Sequence, residues 1–141
     1  MARIDIALPE HFPFSTHIAI YQSHINEAGH LDNAQLLTLA SEARQRFFAS
    51  LGYRQTDVDG VGIVLADAAV VYRSEAFHGE TLVFEMAVAD FNKYGCDLLY
   101  RITEVESGRE VARCKHGIVF YDYTERRIQP VPEGFRSRVT A

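Results

Sequence analysis

Apolar and polar positions follow two different periods along this chain. Thr16 to Gln22 (THIAIYQ) sets Ile18 and Ile20 on one side among β-favouring residue types, which predicts a short strand. Residues 1–15 carry Pro9 and Pro13 without a sustained period and read as a lead-in. A polar loop from Ser23 to Leu31 passes the turn-forming Gly29, and the period then becomes helical. From Asp32 to Leu51 the residues Leu36, Ala40, Ala43, Phe47 and Leu51 recur at spacings of four, three, four and four, the apolar stripe of an amphipathic helix. Asp32 or Asn33 supplies the N-cap, and Gly52 the stop.

After a loop from Arg54 to Gly62, the strand period holds for most of the remaining chain. Four runs are predicted as strands: Ile63 to Phe77, Thr81 to Tyr94, Asp97 to Val105 and Glu110 to Tyr123. Their connections, His78-Gly79-Glu80, the Tyr94-Gly95 region and Glu106-Ser107-Gly108-Arg109, read as hairpin turns, so consecutive antiparallel pairing is the expected topology. One helix stripe and one sheet face are the only large apolar surfaces, and each must bury the other. The fold class is therefore α+β, a curved antiparallel sheet wrapped around one long central helix, in a single domain over residues 1–141.

Composition narrows the function. The net charge of −5, without a lysine-rich run, argues against nucleic acid as a partner. No run reaches the roughly 18 apolar residues that span a membrane. Arg3, Asp5, Glu10 and His11 interrupt any signal-like segment, and Cys96 and Cys114 form no CxxC pair, which together predict a reduced, cytoplasmic protein. One stretch runs against the overall charge. Between Glu125 and Ala141, Arg126, Arg127, Arg136 and Arg138 outnumber Glu125 and Glu133, which offers a dock for a small anion beside the alternative of a solvated basic tail.

Chemistry is concentrated where the first strand gives way to the helix, from His24 to Asn33. A helix start presents unpaired backbone N–H groups and the positive end of the macrodipole, both suited to a developing oxyanion, and the amides of Leu31 and the residues just after it are the candidate donors. His24 and His30 lack metal-ligand spacing, and GxSxG, GxGxxG and GxxxxGK[ST] are all absent, so neither a metal nor a nucleotide cofactor is expected.

The run from Asn26 through Gly29-His30-Leu31-Asp32-Asn33 to Glu42-Ala43-Arg44 resembles the signature of hotdog-fold acyl-CoA thioesterases of the 4-hydroxybenzoyl-CoA thioesterase type. That family opens its helix with Gly-His-Val-x-Asn and carries Glu-Ala-Arg further along it. The resemblance implies a hotdog fold, hydrolysis of an acyl-CoA to a free acid and CoA without a cofactor, and assembly as a homodimer or homotetramer. Many members carry an aspartate four residues before the histidine, where this chain has Asn26, and an amide can be neither base nor carboxylate nucleophile. The resemblance is instead to a branch that keeps Asn, His and the helical Glu. It implies Glu42 as base or nucleophile and His30 and Asn26 as groups that orient carbonyl and water. Beside them, Leu31 and Asn33 are candidates for the substrate side of the helix start, and Arg126, Arg127, Arg136 and Arg138 are candidates for the CoA phosphates, with Lys93, Arg113 and Lys115 as alternatives. Arg44 is expected to support structure or a subunit interface. Loss of the aspartate also leaves open a non-catalytic acyl-thioester-binding or assembly protein of the same fold.

Overall fold

The computed structural model describes residues 3–140. Strand β1 (Phe14–Ala19) leads through a single 3₁₀ turn, Gln22–His24, to helix α1 (Asn33–Ser50). Strands β2 (Gly62–Tyr72), β3 (Thr81–Ala89), β4 (Gly95–Glu104), β5 (Glu110–Asp122) and β6 (Arg127–Ile128) follow, and a second helix, α2 (Glu133–Thr140), ends the described chain. All pairings are antiparallel, in the order β1-β3-β4-β5-β2, with β6 folded back on β5.

Helix α1 forms where its stripe predicts. Asp32 is the N-cap, its carboxylate accepting the amides of Ala34 and Gln35, so Asn33 is the first helical residue. The buried face takes in Leu36, Ala40, Ala43 and Phe47 of the stripe and adds Leu39 and Phe48, while Leu51 is only half-buried at the C-cap. Gly52 follows at φ +84°, the left-handed conformation that ends a helix cheaply only as glycine. Against this face lie the inward rows of the sheet: Phe84 and Met86 of β3, Leu98, Tyr100 and Ile102 of β4, and Ala112, Cys114, Ile118 and Phe120 of β5. Removing a ring such as Phe48, which is fully buried, costs about 3–5 kcal/mol in such a core.

Two expectations fail. The first concerns topology: β3-β4 and β4-β5 are hairpins as expected, but β2 pairs with β5 and stands three places away from β3. Residues 73–80 are thus a crossing segment and not a hairpin turn. Its start bonds to β5, with the amides of Arg73 and Ser74 donating to Val111 O, and its end bonds to the residue just after β1, where Gly79 N–H donates to Ile20 O. The second concerns the C-terminal arginines, which do not belong to a solvated tail. Phe135 of α2 is fully buried, 5.7 Å from Phe48 and 5.2 Å from Phe120 between ring centroids. Arg136 lies over Phe91 and Arg138 over Tyr53, and Arg138 also donates to Leu51 O, so both cations clamp α2 to the body.

Strand β2 is a long free edge. The sheet register sets Leu65, Ala68 and Tyr72 towards the helix side, yet all three are exposed because α1 lies over β3, β4 and β5 instead. An edge of this length with small apolar side chains and no lysine is a template for pairing with another strand.

Candidate functional site

The crossing segment builds one wall of a cavity of about 390 Å³ against the start of α1. Its lining joins Asn26, His30, Leu31, Asp32, Asn33 and Leu36 to Tyr72, Arg73, Ser74, Glu75 and Ala76, with Val111 from β5. The wall is fastened by one backbone bond of 2.7 Å, Leu31 N–H to Ala76 O, and by the Tyr72 hydroxyl donating to Asn33 O at 2.8 Å. Burial comes first in raising the Tyr72 pKa, so the phenol stays protonated and able to donate.

The loop before the helix is organised by Asn26. Its Oδ1 accepts the amides of Ala28 (3.0 Å) and His30 (3.3 Å), while its own amide donates to His30 O. That Asx turn commits the carbonyl end of the carboxamide to the backbone. His30 Nε2 stands 3.7 Å from Glu75 Oε1 across the cavity. Glu75 was not among the residues singled out from the sequence; the polar Arg73-Ser74-Glu75 triplet interrupting an apolar run was the available signal.

The amides of the helix start can be counted one by one. Leu31 donates to Ala76 O, Asp32 to His24 O, Ala34 and Gln35 to the Asp32 carboxylate, and Leu36 to Asp32 O. The donor role expected of Leu31 is therefore already spent, and Leu31 contributes an apolar wall instead. Among the described residues, the amide of Asn33 alone in this stretch has no partner, and Asn33 lines the cavity.

Glu42 does not join these groups within one chain. Nine residues separate it from Asn33 on the same helix, about 13 Å along the axis and half a turn around it. It lines a separate open groove with His17, Tyr21, His24, Thr38 and Gln45, and it pairs with Arg46 at 2.7 Å. Arg126 and Arg127 are further away still. Arg127 pairs with Glu125 at 2.9 Å on the β5-β6 hairpin, beside the Gly62 end of β2, whereas the cavity sits at the Tyr72 end, roughly 33 Å away by strand rise.

Arg44 turns into the structure, as the structural alternative for it requires. Its Nε donates to Gln55 Oε1 at 2.7 Å and its Nη1 to His116 Nδ1 at 2.9 Å. Because a guanidinium only donates, His116 Nδ1 carries no proton, and the Tyr100 hydroxyl lies 2.9 Å from the same nitrogen. Burial, and then the Arg44 charge, pushes the His116 pKa down to about 4. Cys96 and Cys114 are free and buried, their thiols pushed up to about 12 chiefly by desolvation, and so are inert. No group of three His, Cys, Asp or Glu side chains is placed to hold a metal among the described residues, and no helix among them is long and apolar enough to cross a membrane.

A helix start with a free amide thus lies at a cavity beside an antiparallel sheet. Residues 21–139 match the Thioesterase-like superfamily, so the chain belongs to that family, with the hotdog fold. The fold is shared with the 1,4-dihydroxy-2-naphthoyl-CoA thioesterase of Synechocystis, at 20% identity and TM-score 0.82, covering 90% of this chain and 95% of that one. A thioesterase of Thermus thermophilus, solved with coenzyme A and Zn, is 20% identical over 93% of this chain and 100% of its own, with TM-score 0.78. A Staphylococcus aureus protein solved with CoA is 17% identical, with TM-score 0.82, over 96% and 86% of the two chains. No curated protein matches by sequence.

Proposed function

We propose that the cavity at the start of α1 is where this enzyme hydrolyses its acyl-CoA, with the thioester carbonyl held by the amide of Asn33. The observation that carries this reading is that single unspent N–H, on a residue that lines a cavity at the positive end of an 18-residue helix. As water adds to the carbonyl carbon, negative charge grows on its oxygen. A fixed donor and the helix dipole stabilise that charge more than they stabilise the neutral carbonyl. The C–S bond then breaks, the thiolate takes up the proton that the water gave away, and acid and CoA leave. Proton transfer and an oxyanion donor carry each step, so the reaction needs no metal or redox cofactor.

Leu31, Leu36, Ala76 and Val111 supply the apolar surface for the acyl group. His30 is the proton carrier nearest the carbonyl, its Nε2 3.7 Å from Glu75 Oε1, and the carboxamide N–H₂ of Asn26 orients water or carbonyl. Glu42 is the base or nucleophile only if a second copy brings it, given its offset of about 13 Å from Asn33 in its own chain. The free β2 edge supports such a partner. Pairing β2 antiparallel with itself relates two chains by a two-fold and extends the sheet across both, with the two α1 helices antiparallel on one face. It also carries the Arg126–Arg127 hairpin of one copy towards the cavity end of the other, within reach of the phosphates of a CoA bound there. We therefore take the enzyme to be a homodimer, or a homotetramer built from it, acting in the cytoplasm and without a nucleic-acid partner.

Two measurements test this. Release of CoA from short, long and aromatic acyl-CoAs, followed with a thiol reagent, is expected for at least one acyl class. Binding of every class without release would favour the non-catalytic binding protein. In solution the mass should be at least twice 15.9 kDa at micromolar concentration, and a monodisperse monomer would remove Glu42 from the site.

A further inference from the structure

An oxyanion takes more than one donor, and the amide of Asn33 is a single N–H. Of the other donors along this cavity, the Ser74 hydroxyl donates to Glu110 O at 2.8 Å, and Arg73 stands 3.9 Å from the Glu110 carboxylate. The Tyr72 phenol is different, because the acceptor it has found does not depend on it. Asn33 O already receives the amide one helical turn on, from Leu37, as the α-helical pattern of α1 requires, and that bond satisfies the carbonyl. The 2.8 Å bond from the Tyr72 hydroxyl is therefore a second one to the same oxygen, and it can be exchanged for a stronger acceptor.

An irregularity of β2 aims this phenol at the site. As far as Leu65, opposite Ile118, β2 stays in step with β5, but Ala66 is then left out of the pairing and Asp67 stands opposite Gly117. One residue more on β2 than on β5 reverses the alternation of faces, as a β-bulge does. Counted from Ile63 and Leu65 without the bulge, Tyr72 would turn to the outer face. With it, Tyr72 stands opposite Ala112 of the inward row, on the helix side, and its hydroxyl reaches the first residue of α1. Standard bond lengths along N–Cα–C=O put no more than about 4 Å between the amide nitrogen and the carbonyl oxygen of one residue, so the phenol oxygen is within roughly 7 Å of the Asn33 nitrogen. Two donors that share one oxygen stand up to about 6 Å apart, and a half-exposed ring closes that difference by a small rotation.

We propose that Tyr72 is a catalytic residue of the hydrolysis, its hydroxyl turning from Asn33 O to the thioester carbonyl oxygen and acting there as the second donor beside the Asn33 amide. The proposal rests on the reading of that cavity as the thioester site. Hydrogen bonds to a charged oxygen are stronger than those to a neutral carbonyl, so the phenol grips the oxygen more firmly as water adds and charge grows. Tyr72 transfers no proton in this step. It remains the neutral phenol throughout, in keeping with the upward shift of its pKa by burial, and releases the oxygen when the C–S bond breaks and the carbonyl re-forms.

The test is Tyr72→Phe, which keeps the ring and deletes the O–H, assayed with butyryl-, decanoyl- and benzoyl-CoA. We expect kcat to fall about 10- to 100-fold, the loss of one hydrogen bond to a charged oxygen, with KM changed less than about twofold. A phenol that only fastens the cavity wall would behave in the opposite way, since its loss would raise KM and leave kcat nearly as it was, and that result would overturn the proposal. A second readout follows the oxygen itself, through the infrared carbonyl stretch of bound, isotope-labelled ketone analogues of the three substrates in which a methylene replaces the thioester sulfur. Each donor polarises the carbonyl, so the stretch should lie at lower wavenumber in the parent than in Tyr72→Phe. A stretch that moves in Asn33→Pro but not in Tyr72→Phe would overturn the proposal and leave the cavity reading standing, whereas a stretch that neither substitution moves would overturn the cavity reading and the proposal with it.

Discussion

Helix α1 carries polar groups into the molecule at two places, and the two behave differently. Midway along, Arg44 meets Gln55, His116 and Tyr100 in a cluster where Nε and Nη1 are both bonded and the ring nitrogen facing them is an acceptor by necessity. At the start, Asp32, Asn26 and Ala76 satisfy the neighbouring amides but leave without a partner that of Asn33, a residue that lines a cavity. Both regions contain a histidine and residues that look catalytic in the sequence. What separates them is remaining hydrogen-bonding capacity: a group whose donors are all answered holds the fold together, and one left unanswered beside open space is available to a ligand.

The sharpest way to break this comparison is Asn33→Pro. Proline is well tolerated at the first position of a helix, and Asp32 already has the extended backbone, φ −66° and ψ 141°, that a following proline demands. The change deletes one N–H and keeps the Asn33 carbonyl for Tyr72. We expect kcat to fall about 100- to 1000-fold, with Asn33→Ala as the control for the side chain. Thermal unfolding should move by no more than a few degrees. Retained activity in Asn33→Pro would sink the oxyanion assignment.

The closed region is probed by acid. His116 titrates near 4 in the folded protein against about 6.5 in the unfolded chain, so between those values the unfolded state binds the extra proton. Stability attributable to His116 is therefore complete above about pH 6.5 and is lost as pH falls towards 4, a total of roughly 3 kcal/mol. Urea unfolding at pH 7, 5.5 and 4.5 should show this slope, and His116→Gln should flatten it. An equal slope in both proteins would place the acid sensitivity elsewhere.

Glu42→Gln tests whether the groove that Glu42 lines belongs functionally to the open region. A drop in kcat of about 100-fold, near 2.7 kcal/mol, is expected with an unchanged fold, because the side chain is nearly half exposed and packs little. Unaltered kcat would return Glu42 to a surface pair with Arg46 and leave His30 and Glu75 to move the proton. Smallest is Arg44→Ala, which should cost about 2 kcal/mol in chemical denaturation by stranding His116 and Tyr100, with kcat changed less than in Asn33→Pro. A larger loss of activity than of stability would show that the network is more than a fastening.

Legibility follows the range of the interactions involved. The cap at Asp32, the stripe of α1 and the stop at Gly52 are local, and the chain spells them out within a few residues of where they act. The hairpins β3-β4 and β4-β5 are similarly local. Residues 73–80 were not legible as a crossing segment, because a glycine turn reads the same whether the next strand pairs with the last one or travels to the far side of the sheet. That misreading hid much of the cavity, namely Tyr72, Ser74, Glu75 and Ala76. The aromatic seat of α2 was hidden for a like reason, since Phe48, Phe120 and Phe135 are distant in the chain and meet only once it is folded.

By itself, then, the amino-acid order determined the class of fold, the helix with its ends, and the loop that carries Asn26, His30 and Asn33, because periodicity and capping act over one or two turns. Only the tertiary structure decided which amide stays free, that Glu42 stands about 13 Å from it, and that Arg44 is consumed by His116. Those outcomes depend on partners such as Ala76 and His116, brought in from more than forty residues away, and a hydrogen bond is spent or spared only when its partner arrives.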